Sequence, residues 1–151
     1  MRKLIALVIF LWAGLASASG GGGGGGGFVD GGHNYFPLDP PFVVNLRDGD
    51  RLRFMQAAIQ VMTYDTKVIE ALQKHAGPIR HELLMLLSDQ TVAIMYDVKK
   101  RTALQEEALT AVQKVLEEYG GISKSDRVED AEGKSYPSGV VELYFTDLVV
   151  Q

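Results

Sequence analysis

Phe42-Val43-Val44-Asn45-Leu46-Arg47-Asp48-Gly49-Asp50-Arg51-Leu52-Arg53-Phe54 is the stretch that decides the fold class. Phe42 to Leu46 reads as a short buried strand. Arg47-Asp48-Gly49-Asp50 is a turn, and its central Asp-Gly is a strong hairpin signal. Arg51 to Tyr64 continues as a longer strand. Leu52 and Phe54 alternate with Arg51 and Arg53, and Ala57, Ile59 and Val61 then take up the apolar positions. That change of phase reads as a bulge or a covered second face. Arg51 and Arg53 fall on the wet side of the strand, where they stay solvated or meet an acidic partner.

Upstream, Pro37, Pro40 and Pro41 hold the approach to the hairpin extended, because proline and the residue before it avoid the helical region. Downstream the period changes. Asp65 is an N-cap for a helix carrying Val68, Ile69, Leu72 and His75 on one side. Gly77-Pro78 stops that helix and starts another, in which Ile79, Leu83, Leu86 and Leu87 form a core-facing stripe. Thr91 to Val98 reads either as a strand or as a helical lead-in. Thr102 to Gln105 has the form of a capping box, opening a helix with Leu104, Ala108, Ala111, Val112, Val115, Leu116 and Tyr119 on one face. Gly120-Gly121 ends it. Ser123 to Ser138 is a loop or weak hairpin, and Gly139 to Val150 is a closing strand. Strands, then helices, then a strand give an α+β domain: a small, mostly antiparallel sheet with helices packed on one face.

The first 34 residues follow another logic. Arg2-Lys3, an apolar run from Leu4 to Leu15, and the small residues Ala16-Ser17-Ala18 form a secretory signal. Residues 1–18 are thus a signal peptide cleaved between Ala18 and Ser19, or an uncleaved signal-anchor. Cleavage would remove Arg2 and Lys3 and take the net charge from −4 to −6. Eight glycines, Gly20 to Gly27, have no apolar surface to bury. They lack the Lys-Ser/Thr ending of a phosphate loop. Residues 19–34 read as a flexible tether with a reach of roughly 20–25 Å, and residues 35–151 as the folded domain.

The 151 residues are 46% hydrophobic and 23% charged, enough for one domain with a modest core. The net charge of −4 gives no basic surface for nucleic acid. With no cysteine there is no disulfide, thiolate chemistry or Cys-based zinc site. His33, His75 and His81 form no HExxH or paired-ligand pattern. Ser88-Asp89 and Ser125-Asp126 lack a nucleophile elbow. Asp48-Gly49-Asp50 lacks the rest of a calcium loop. Glu106-Glu107 and Glu117-Glu118 read as solvated helix face. No catalytic residue, cofactor site or metal site is assigned, and the reading is a non-enzymatic binding or scaffolding protein.

Four stretches carry a resemblance that goes further. They are Tyr35-Phe36-Pro37-Leu38-Asp39-Pro40-Pro41-Phe42-Val43-Val44-Asn45-Leu46; Arg53-Phe54-Met55-Gln56; Pro78-Ile79-Arg80-His81-Glu82-Leu83-Leu84-Met85-Leu86-Leu87-Ser88; and Val140 to Gln151, with its Tyr144-Phe145-Thr146-Asp147 core. In this order they resemble the flagellar basal body-associated FliL family, across residues 35–151. The resemblance implies a stomatin/SPFH-like fold. It also implies an inner-membrane protein with its domain in the periplasm, at the flagellar basal body; cleavage of the signal would leave it soluble there. It further implies self-association into a ring, contact with MotA/MotB-type stator proteins, and support of flagellar rotation, motility and chemotaxis. An envelope scaffold of the same fold without a flagellar partner is the alternative, and a periplasmic enzyme or solute binder a third. Three features depart from the family's pattern: a signal-like segment in place of a full membrane helix, Val98-Lys99-Lys100-Arg101 where many members have glycine, and a longer 123–138 segment. Pro78, Ile79 and Arg80 are the expected partner interface; Phe145, Val149 and Val150 are expected to be structural.

Overall fold

The computed structural model describes residues 27–151; the signal segment, the Ala18–Ser19 junction and most of the glycine run lie outside the described residues. The hairpin is the frame of the sheet. β2 (Phe42–Asp48) and β3 (Arg51–Thr63) pair without interruption from Phe42↔Ala57 to Asp48↔Arg51. The loop is Gly49-Asp50, one residue later than the expected Asp48-Gly49 centre, because Asp48 pairs with Arg51 as the last residue of β2. Gly49 has φ +61° and no non-glycine described residue has positive φ, which is the type II′ demand for glycine at the first central position.

β3 has 13 residues and is roughly 40 Å long. Its length lets it pair with every other strand of the main sheet. β1 (Asn34–Pro37) and β2 lie end to end along one edge, and β6 (Glu142–Val150) takes the other, all antiparallel. β4 (Arg127–Glu129) and β5 (Ser135–Pro137) form a separate two-stranded hairpin. The fold is therefore α+β with antiparallel sheets.

The change of phase in β3 resolves without a bulge against β2. Met55, Ala57, Ile59 and Val61 face inward and are buried, whereas Leu52 and Phe54 face out and are 70% and 58% exposed. The register shift lies between β3 and β6, at Ala58/Ile59, and leaves Thr146 unpaired. This one extra residue turns Leu143 and Phe145 before it, and Leu148 and Val150 after it, to the same inward face. β2 is buried on one side only: Phe42, Val44 and Leu46 face in, and Val43 faces out.

The helices cover the inward face. α1 (Thr66–Lys74) is capped by Asp65, whose carboxylate accepts from Lys67 N at 2.9 Å. Only His75 separates it from α2 (Ala76–Ser88), so Gly77-Pro78 lie inside the first turn of α2. Proline is tolerated there because its missing N–H has no helical acceptor. Thr91 to Val98 is neither strand nor plain lead-in: Val92–Met95 is a 3-10 turn, and Thr91 makes an isolated bridge to Arg47. α3 runs from Val98 to Gly120. Its N-cap is Asp97, which accepts from Lys99 N and Lys100 N. The expected capping box at Thr102 is interior to the helix, and the Thr102 hydroxyl donates back to Val98 O. Gly121, at φ +65°, ends α3 as expected.

The core joins Phe42, Leu46, Met55 and Leu143 of the sheet to Leu72, Ile79, Leu83, Leu87 and Leu116 of the helices. Of the closing strand, Leu143 is the fully buried anchor. Phe145 and Val150 are half-buried against the core, and Val149 faces out. The expectation that Val149 is structural is corrected by its parity: it pairs with Gln56 on the outer face.

Candidate functional site

Residues 78–80 go to three different places. Pro78 is exposed at the start of α2, and Ile79 is 1% exposed within the core. Arg80 reaches across the layers. Its Nη1 donates to Leu38 O at 3.1 Å and Pro40 O at 2.7 Å, and its guanidinium lies 4.2 Å from the Phe42 ring centroid. Charge-assisted bonds and a cation–π contact of this kind pin the β1–β2 link to α2. Arg80 therefore positions a surface, and the Pro78-Ile79-Arg80 triplet is not one contiguous contact patch. Beside it lies an apolar groove of about 360 Å³, lined by Phe36, Leu38, Leu72, Ala76, Ile79 and Arg80.

A buried polar cluster closes the end of the sheet near β1. Thr63 Oγ1 donates to Gly139 O at 2.7 Å, and Ser138 Oγ donates to Asp65 Oδ2 at 2.6 Å. Gln113 of α3, 1% exposed, accepts from Val140 N at 3.0 Å and donates to Ile122 O at 3.2 Å. A Cβ on Gly139 would lie 2.5 Å from Gln113 Oε1, and the φ there is +84°. Only glycine fits both demands. All of these atoms have partners, so the cluster is a structural clamp between β6, α3 and the α1 cap.

Residues 28–34, which the sequence reading counts with the tether, carry bonds to the domain. Asn34 closes a turn by accepting from Val29 N and donating to Val29 O and Gly32 O. Gly31 N donates to Tyr64 O at 2.8 Å. Asp30 accepts from Thr66 N and Oγ1 at the start of α1, and these bonds hold its carboxyl below the usual range. Asp130, in the β4–β5 turn, is lowered in the same way, first by Lys134 N. Gly31 packs on Asp130, His33 meets Tyr64 edge-on at a centroid separation of 5.0 Å, and Tyr64 lies tilted against Tyr136 at 4.9 Å. Asp30-Gly31-Gly32 carries a turn signal, but its docking sites, Tyr64 and Asp130, lie far along the chain.

A cleft of about 710 Å³, open and of mixed charge, lies between α1, the end of α3 and the start of the 123–138 segment. Among the described residues no three His, Asp or Glu side chains converge, and His33, His75 and His81 are separated. No described helix is long and apolar enough to cross a membrane.

What the geometry defines is a two-layer α+β domain that presents surfaces, one of them the open face of its sheet. The sequence profile of the family described as "Flagellar basal body-associated protein FliL" matches residues 35–151. The chain belongs to the FliL family. A curated relative, "Flagellar protein FliL" of Aquifex aeolicus (strain VF5), is 26% identical over 116 residues; these cover 77% of this chain and 60% of the relative. The chain thus spans about three-fifths of the length of that relative. Membership makes this a protein of a flagellar basal body-associated, accessory family.

Proposed function

We propose that this chain is a non-enzymatic accessory protein of the flagellar motor. It sits at the basal body on the inner membrane with residues 35–151 in the periplasm, self-associates into a ring, and contacts MotA/MotB-type stator proteins. Through that contact it supports rotation, motility and chemotaxis. Residues 1–18 act as the export signal or anchor, and the domain is of the stomatin/SPFH kind. The observation that carries the reading is the family match across the whole domain. A surface-presenting fold is compatible with it, because a stator contact needs an interface and no reacting group.

In-frame deletion from its own cells tests the reading. Reduced swimming in soft agar, restored by the full chain, is the expected result. A deletion strain that swims and turns like its parent would defeat the motor role and leave the envelope-scaffold alternative. The N-terminal sequence of the protein from fractionated cells separates the two topologies: Ser19 in soluble periplasm means cleavage, and Met1 in the inner membrane means an anchor.

A further inference from the structure

One end of the domain differs in charge from the rest. The β2–β3 turn and the start of α3 meet there, since Thr91 bridges Arg47 and Arg101 donates to Ile94 O and Met95 O. Residues 47–54 and 89–101 carry six basic and four acidic side chains; the other described residues carry seven and fifteen. A basic end therefore sits on an acidic body. Among the described residues the one ion pair is Arg53–Asp48, which leaves Arg47 and Arg51 without a carboxylate. Next to Arg47 the outward positions of β3 from Leu52 to Gln60 (Leu52, Phe54, Gln56, Ala58 and Gln60) carry no charge at all, whereas Arg51 has the inward parity of Met55. Leu52 and Phe54 stand open, where the free face of an antiparallel sheet is ordinarily polar.

We infer that this basic, apolar end is an interaction surface whose occupant is a second copy of the chain, docked through the exposed acidic face of its α3. The complement is on the same molecule. Glu106, Glu107, Glu117 and Glu118 are all exposed along α3, a helix of 23 residues and roughly 35 Å, and outnumber the one exposed lysine between them, Lys114. Arg47, the cross-strand partner of Leu52 on the outward face, meets that charge, and Leu52 and Phe54 exclude water around it. The two surfaces are different parts of one molecule, so the contact is head-to-tail and repeats from copy to copy, closing into a ring or extending as a filament. An anionic membrane fits less well. The basic end is at the far end of β3 from Asn34, roughly 40 Å from where residues 1–26 join, and the body behind it is acidic. This inference rests on the self-association proposed above and names its surface.

The absence of cysteine makes the test clean. In the full chain expressed in its own cells, Leu52→Cys is combined with Glu107→Cys or Glu117→Cys and treated with a short bismaleimide. The expected result is a ladder of dimers and higher species from a double variant, and none from any single variant. Adding Arg47→Glu should cut the ladder about tenfold, and reversing Glu106 and Glu117 to Lys in the Glu107→Cys background should restore it. Dimers from Leu52→Cys alone would mean a two-fold contact and overturn the head-to-tail surface. No ladder from either double variant would also overturn it, as would a link to another protein or to lipid at position 52. Sedimentation of the full chain in detergent separates the two failures. A monomer at every concentration defeats self-association itself; an oligomer that stays unlinked at 52 defeats only this surface.

Discussion

The two faces of β3 share one backbone and have opposite fates. Inward, Met55, Ala57, Ile59 and Val61 are buried under three helices; outward, Leu52 and Phe54 have nothing over them. Both sets are apolar, so hydrophobicity alone does not separate core from surface. From Phe54 to Val61 parity does, because side chains alternate with period two and the helices reach only one face; beyond that stretch the outward Met62 is buried and the inward-parity Arg51 and Arg53 are exposed. The inward face holds the domain together, and the outward face is left for contacts beyond it.

Substitutions should split along the same line. The largest effect is expected at the inward anchor of β6: Leu143→Ala should cost about 2–5 kcal/mol, read as a lower urea midpoint. Phe145→Ala, half-buried, should cost less than Leu143→Ala, and the reverse order would mean that the inward face is centred elsewhere. Gly139→Ala puts a methyl into Gln113 at a positive φ, and about 1–3 kcal/mol should be lost. Arg80→Ala removes two charge-assisted bonds and a ring contact and should cost about 1–3 kcal/mol. Arg80→Glu should therefore destabilise the domain before it affects any partner; an unchanged melting curve would return Arg80 to the role of a free contact residue.

On the outward face the expected effects shrink. Phe54→Ser and Leu52→Ser should leave stability within about 0.5 kcal/mol of the parent while weakening self-association. A large loss of stability would erase the contrast between the faces. Smallest is a pH effect at the end of the sheet near β1. The carboxyls of Asp30 and Asp130 are held low in the folded state, so their stabilisation is present above the usual carboxylate range and is lost as pH falls through the folded values. Below about pH 4, the near-UV signal of Tyr64 and Tyr136 should weaken, and Asp30→Asn should remove the Asp30 share of that change.

Most of the fold was legible because its signals are local. The existence of the hairpin at Gly49, though not the residues at its centre, the Asp65 cap, the Ile79-Leu83-Leu87 stripe and the Gly120-Gly121 stop are each set by a few neighbouring residues. The misread start of α3 shows the limit: Thr102 to Gln105 satisfies a capping pattern, but Asp97 caps five residues earlier. The candidate site was less legible. Arg80 as a tie to Leu38, Pro40 and Phe42 involves partners about 40 positions away in sequence.

The amino-acid sequence by itself determined the main strands and helices outside Thr91–Val98 and the 123–138 segment, the single α+β domain and the family, since propensity, period and motif order are properties of the chain. Only the tertiary structure decided which face of β3 stays open, where the bulge in β6 falls, and that the basic turn and the acidic helix lie on different parts of one surface. Those depend on register and layer packing, which are fixed by contacts between residues far apart in the chain.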